Sequence, residues 1–265
     1  MSSIALLAAA TLLAAPALAS SQTGDRALRA DLERVARERI YFGHQSVGAN
    51  LLQGVQELAA QAGVPVRIVR ADRASEVPAA SFGHTFVPEN GQPLKKLESF
   101  RAALGSAAVD IAFVKFCYVD IRGDTDVEGL FDRYRRTIAE LRRSHPRTTF
   151  VHVTLPLTTV QAGFKALAKR LLGRAPYGTI ENVRREQYNR LLREAYAGRE
   201  PLFDLARIES TAPDGSPVRV EWNGVLAPAL APAYTDDGGH LNAEGRRRAA
   251  RELIAVLAAA RGPQP

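Results

Sequence analysis

At 265 residues, 46% of them apolar, the chain is long enough for one α/β domain with elaborations and a sizeable core. A formal charge of +7 admits an anionic partner, but Arg135, Arg136, Arg142, Arg143, Arg246, Arg247 and Arg248 alternate with acids along helical stretches, as on a solvated face; no basic–aromatic pattern points to nucleic acid. The single cysteine, Cys117, excludes an intramolecular disulfide, and five scattered histidines with no His-x-x-x-His and no cysteine cluster give no expected metal site or cofactor.

In chain order, Ile4 to Ala19 is apolar and alanine-rich, with a small-x-small site at Ala17-Leu-Ala19 followed by polar Ser20-Ser-Gln-Thr. Residues 1–19 therefore read as a secretory signal cleaved near Ala19, too short and interrupted for a membrane span, although no Lys or Arg precedes Arg26. Export without disulfides suits a periplasm or the exterior, with residues 20–265 as a single domain. Asp25–Glu38 carries a helical stripe, Ile40-Tyr-Phe42 a first strand, and Val47–Ala62 a helix ended by Gly63. Val64–Arg70 reads as a second strand, and Asp72–Pro93 as a long loop. Leu94–Leu104 and Thr125–Ser144 read as helices, flanking a buried third strand at Val109–Cys117. Thr149–Leu155 is the expected fourth strand. A basic insertion at about residues 158–179, a helix at Ile180–Tyr196, a fifth strand at Leu202–Ile208 and a closing helix at Leu241–Ala260 complete the chain. This alternation predicts an α/β fold, a doubly wound, flavodoxin-like sheet of five parallel strands with helices on both faces.

Ser46 sits where the first strand turns into a helix. It can serve as a helix N-cap, or as a nucleophile beside free backbone N–H groups and the positive end of the helix dipole. Near the other end, Tyr234-Thr-Asp-Asp-Gly-Gly-His-Leu-Asn-Ala-Glu-Gly245 places Asp237 and His240 three residues apart in a loop opening the last helix. At that spacing a carboxylate can hold one imidazole nitrogen while the other faces a nucleophile. Ser46, the long loop, Cys117-Tyr118 and Asp237–His240 all follow strand ends, on the edge where such sheets bind ligands.

With these blocks the chain resembles the SGNH/GDSL hydrolase superfamily from about Ile40 onward, with His44-Gln45-Ser46 in place of Gly-Asp-Ser. The resemblance implies Ser46 as nucleophile, His240 as general base and then acid, and Asp237 as its orienter. Asp236 is an alternative orienter off the motif's spacing, and a register on Gly43 would instead put Gln45 at the nucleophile position. The family takes oxyanion donors from the nucleophile's own N–H, a glycine N–H after strand two and an asparagine after strand three. Here Lys115-Phe-Cys-Tyr118 stands at the last of these, with Cys117, a poor donor, at the asparagine position. Val47, Gly83, Asn90, Gly91, Lys115 and Cys117 are the candidates for oxyanion or substrate binding; Cys117 is equally a small buried hydrophobe, and His44, His84 and His152 suit packing or hydrogen bonding. The implied function is a secreted serine esterase removing an acyl group, acetyl foremost, from a carbohydrate or other polar ester. The alternatives are a catalytically silent glycan- or envelope-binding domain and an O-acyltransferase with the same triad. The expected partner is a small-molecule or polysaccharide ester, with no nucleic acid and no stable membrane insertion; the sequence leaves oligomeric state open.

Overall fold

The computed structural model of the protein describes residues 15–261. Most of the expected signal segment, residues 1–19, lies outside the described residues. In chain order the elements are α1 (Ala15–Val35), β1 (Arg39–His44), α2 (Val47–Ala62), β2 (Ile68–Arg70), β3 (Ser81–Phe86), α3 (Pro93–Leu104), β4 (Ile111–Val114), α4 (Val127–Ser144), β5 (Thr149–Phe150), β6 (His152–Val153), α5 (Phe164–Leu171), α6 (Thr179–Tyr196), β7 (Leu202–Phe203), α7 (Leu205–Glu209), β8 (Arg219–Trp222), β9 (Val225–Pro228) and α8 (Ala243–Ala259). Among the described residues no helix is long and apolar enough to cross a membrane.

Five parallel strands form the central sheet in the order β2-β3-β1-β4-β5. β1 lies at its centre, and its side chains alternate between two cores. Ile40 and Phe42 pack with α1, α2 and α8, whereas Tyr41 packs with α3, α4 and α6. Burial on both faces is why Ile40–Phe42 reads as a short continuous apolar run. The chain passes left from β1 to β2 and β3, then crosses back to β4, so the strand order reverses beside the carboxyl end of β1.

Helix ends follow their local chemistry. Asp126 caps α4 by accepting from Gly129 N–H (3.0 Å), and Asn242 caps α8 by accepting from Gly245 N–H (3.1 Å). Gly63 closes α2 in the left-handed region at φ 65°. α2 and α8 cross closely at Gly54, where a Cβ would lie 2.6 Å from the Arg246 carbonyl oxygen.

Two expected elements differ. The Asp72–Pro93 stretch is not one loop: Ser81–Phe86 is β3, inserted between β2 and β1. Its Gly83 and His84 break the apolar signal, and Gly83 is required because a Cβ there would lie 2.2 Å from Val77. The expected fifth strand, Leu202–Ile208, survives only at Leu202–Phe203, which pairs with β6 beyond the five-stranded sheet. Asp204 then accepts from Arg207 N–H (3.2 Å) and turns the chain into α7.

Behind the strand ends lies a fully buried ion pair, Lys96 Nζ to Asp120 Oδ2 at 2.7 Å. Asp120 also accepts from Cys117 N–H (2.6 Å) and Gly91 N–H (2.7 Å), and Lys96 donates to Asn90 Oδ1 (2.9 Å). One carboxylate thus ties the loop after β4 to the loop after β3. Lys96→Met leaves that carboxylate buried without its cation, so urea unfolding at neutral pH is expected to show a loss of about 3–5 kcal/mol; an unchanged midpoint would remove the pair from this role.

Candidate active site

Ser46 stands between β1 and α2 with φ 52° and ψ −109°, a conformation that L side chains rarely adopt. Its hydroxyl makes no capping bond to α2. Instead Ser46 Oγ hydrogen-bonds His240 Nε2. The other ring nitrogen, Nδ1, lies 2.6 Å from Asp237 Oδ2. A carboxylate only accepts, so Nδ1 carries the proton and Nε2 is left to accept from the serine.

Asp237 is held by more than the imidazole. Its Oδ1 accepts from the backbone N–H groups of His240 (2.8 Å) and Gly239 (2.9 Å). These bonds, the His240 amide first, hold the carboxyl well below the usual carboxylate range. Asp236 turns away, accepting from Asn242 Nδ2 at 3.4 Å. The loop is anchored to α2 by Leu241 N–H donating to Asn50 Oδ1 (3.2 Å), and to the insertion by Thr159 N–H donating to the Gly238 carbonyl (2.9 Å). Asn50 carries no motif that would mark it in the sequence.

The expected oxyanion groups separate into two sets. Among the described residues the N–H groups of Ser46 and Val47 meet no acceptor, whereas the next two, of Gly48 and Ala49, donate to the carbonyls of Gln45 (3.0 Å) and Ser46 (2.8 Å). Val47 N–H is therefore free at the helix start beside the serine. Gly83 is inside the sheet, paired with Tyr41 and Val69 and packed on Val77, so it is not a donor at the site. Gly91 N–H is taken by Asp120 and Asn90 Oδ1 by Lys96. Lys115 is fully buried and donates to the Phe116 carbonyl (2.9 Å), with Cys117 Sγ at 3.7 Å; burial pushes its pKa down. Cys117, also buried, places its thiol 3.8 Å from the Gln45 carbonyl, beneath the turn. Both residues make their hydrogen bonds beneath the turn, and among the described residues neither bonds the Ser46 or His240 side chain.

The residue that sequence reasoning missed is Tyr118. Its ring stands edge-on to His240, centroids 5.9 Å apart, and a Cβ on Gly239 would lie 2.9 Å from its hydroxyl. Burial, then Asp237 and Cys117, push the phenol's pKa up, and the Ser46 hydroxyl draws it partly back down, so the phenol stays protonated. Arg185 fixes it: Nε donates to the Tyr118 carbonyl (2.9 Å) and the guanidinium sits 5.8 Å over the ring. Arg185 is itself buried, which lowers its pKa to about 10, and it donates to Thr158 Oγ1 (2.9 Å) and Asn182 Oδ1 (2.7 Å). Below this layer, burial raises Glu209 to about 8, so its carboxyl is protonated at neutral pH.

The remaining histidines have structural surroundings. His44 is buried under Gly48, with Nε2 3.0 Å from His84 Nδ1, and burial lowers its pKa to about 3. His152 bonds Tyr134 (2.8 Å) and Glu200 (2.9 Å) and stacks on Tyr196.

A serine, a histidine and a carboxylate in hydrogen-bonded series, at the switch point of a doubly wound parallel sheet, define a Ser-His-Asp site on an α/β scaffold. No protein-family model matches the chain, and no curated protein does. Among solved structures it is similar to a Streptococcus pneumonia protein solved under the name platelet activating factor, with a TM-score of 0.51 and 17% identity over 93% of this chain and 100% of that one. It is also similar to a GDSL-like lipase from Bacteroides thetaiotaomicron (TM-score 0.49, 14% identity, 90% of this chain and 96% of that one) and to the acetylxylan esterase Axe2 from Geobacillus stearothermophilus (TM-score 0.48, 11% identity, 86% and 95%). The likeness to the first of these shows a shared α/β fold.

Asp237 has a depressed pKa, so its clasp on the His240 loop contributes stability above the ordinary carboxylate pKa and loses it as pH falls through the lowered value. Thermal melts of wild type and Asp237→Asn are expected to differ at neutral pH, with wild type higher, and to converge in strong acid. A gap independent of pH would mean that the ionised carboxylate is not what holds the loop.

Proposed function

We propose that this chain is an exported serine ester hydrolase that removes a short acyl group, acetyl in the first instance, from a carbohydrate or other polar ester. The observation that carries this reading is the continuous hydrogen-bonded series Ser46 Oγ, His240 and Asp237, built on a serine whose backbone is held at positive φ.

The chemistry follows from those positions. Ser46 Oγ attacks the ester carbonyl carbon while His240 Nε2 takes its proton, and Asp237 steadies the resulting imidazolium without being protonated itself. Negative charge collects on the former carbonyl oxygen. Ser46 N–H, Val47 N–H and the Tyr118 hydroxyl supply the donors, with the positive end of α2 behind them. The tetrahedral species collapses, His240 protonates the departing alcohol, and an acyl group remains on Ser46. Water then attacks with His240 as base, and the acid leaves. The side chains of His240 and Asp237 are 43% and 56% exposed, which favours hydrolysis over transfer because water reaches the acyl-enzyme freely.

Ser46→Ala is expected to abolish turnover of a short p-nitrophenyl ester while the melting temperature holds, since the hydroxyl caps nothing. Tyr118→Phe should lower kcat by about 10²-fold with KM little changed, the pattern of a donor used in the transition state. Lys115→Met should lower stability and leave the kinetics of the folded enzyme alone. Full activity in Ser46→Ala would refute the nucleophile; an unaffected kcat in Tyr118→Phe would remove the phenol from the oxyanion site.

A further inference from the structure

The insertion Val160–Gly178 is built unlike the rest of the surface. It contains Lys165, Lys169, Arg170 and Arg174 and no acidic residue, and none of these four cations forms an ion pair among the described residues. Its apolar side chains are turned outward: Phe164 is 84% exposed, Leu171 79%, Tyr177 73%, Leu172 72% and Leu167 55%.

Helical geometry arranges them. At 3.6 residues per turn Phe164, Leu167, Ala168 and Leu171 share one side of α5, and Ala166, the one buried residue of the helix, lies opposite, against the body of the protein. Lys165 flanks the apolar stripe on one side and Arg170 on the other, with Lys169 nearer the Ala166 side of the helix. A cleft of about 390 Å³ lies between α5 and β8; Leu167 is on its rim, whereas Phe164 and Leu171 do not line it. The segment is nonetheless fixed in place: Gln161 N–H donates to the Tyr177 carbonyl (3.0 Å), and Thr159 N–H to Gly238 in the His240 loop (2.9 Å).

An outward apolar stripe with cations on both flanks and no acids matches the boundary between acyl chains and anionic headgroups. A neutral glycan would leave the four cations unused, and a second copy of the same face would set them against one another. We propose that Phe164–Tyr177 is a docking face for an anionic bilayer, on which the protein lies without spanning it. This goes beyond the ester-hydrolase reading and does not depend on it, although it sets the Ser46 site beside the surface.

The test is flotation of the full chain with vesicles of equimolar phosphatidylcholine and phosphatidylglycerol, against vesicles of phosphatidylcholine alone. The expected result is binding to the anionic vesicles, weakened by added salt and weak or absent on the neutral ones. Each of Lys169→Gln and Arg170→Gln should weaken binding about fivefold. Phe164→Glu/Leu171→Glu should abolish it with an unchanged melting temperature and unchanged turnover of a soluble ester. No binding, or equal binding to both vesicles, would overturn the proposal. So would a dimer in sedimentation velocity that the same double substitution dissolves, since a second copy would then be the occupant. Because flotation reads lipid binding without any turnover, its failure is distinct from a failure of the esterase reading.

Discussion

The turn between β1 and α2 sets the terms for the rest of this molecule. A serine held at φ 52° costs about 1–3 kcal/mol and persists only where its surroundings over-determine it. Here they do. Gln45 Nε2 donates to the Val87 carbonyl at 2.6 Å, and Lys115 N–H donates to Gly43 at 3.0 Å. The Cys117 thiol lies under Gln45, and Gly48 sits so close to the neutral His44 ring that no Cβ would fit, 2.4 Å from His44 Cβ. A capping rotamer would have satisfied a helix N–H; the strained turn instead aims the hydroxyl at the imidazole and leaves two amides beside it free.

The partner half of the site arrives from the other end of the chain, and helix packing brings it there. α8 lies across α2 at Gly54, an ion pair joins Arg246 to Glu57 at 2.8 Å, and Asn50 on α2 takes the Leu241 amide. Burial of Leu253, Ile254 and Leu257 against Leu51, Val55 and Leu58 therefore contributes to the Ser46–His240 geometry as well as to stability. On the opposite side Asp120 ties together the loops after β3 and β4, the two strands that flank β1, through Lys96, Cys117 and Gly91.

Local signals were legible in the sequence, and through-space ones were not. Asp237 and His240 are three residues apart in a glycine-containing loop, and Ser46 lies at a change from strand to helix pattern, so the chain announces both halves of the site by itself. The parallel α/β sheet was equally readable at β1 and β4, because strands buried on both faces leave apolar runs. β3 was hidden because its centre is Gly83-His84, chosen for a close approach by Val77 and a bond to His44 rather than for apolar surface. Tyr118 was invisible as a site residue because its role depends on Arg185, distant in the chain, and on the space left by Gly239. Lys115 and Cys117 stood at the position where a donor was wanted, but their side chains go to neighbouring main-chain groups beneath the turn.

The central claim is that the constrained turn makes Ser46 a nucleophile activated by His240. Its most direct measurement is reaction of the folded protein with a serine-directed fluorophosphonate, followed by mass mapping of the adduct. The account predicts one equivalent of label, carried on the peptide containing Ser46 and lost in His240→Asn. A protein that remains unlabelled, or one labelled elsewhere with Ser46 intact, would contradict it.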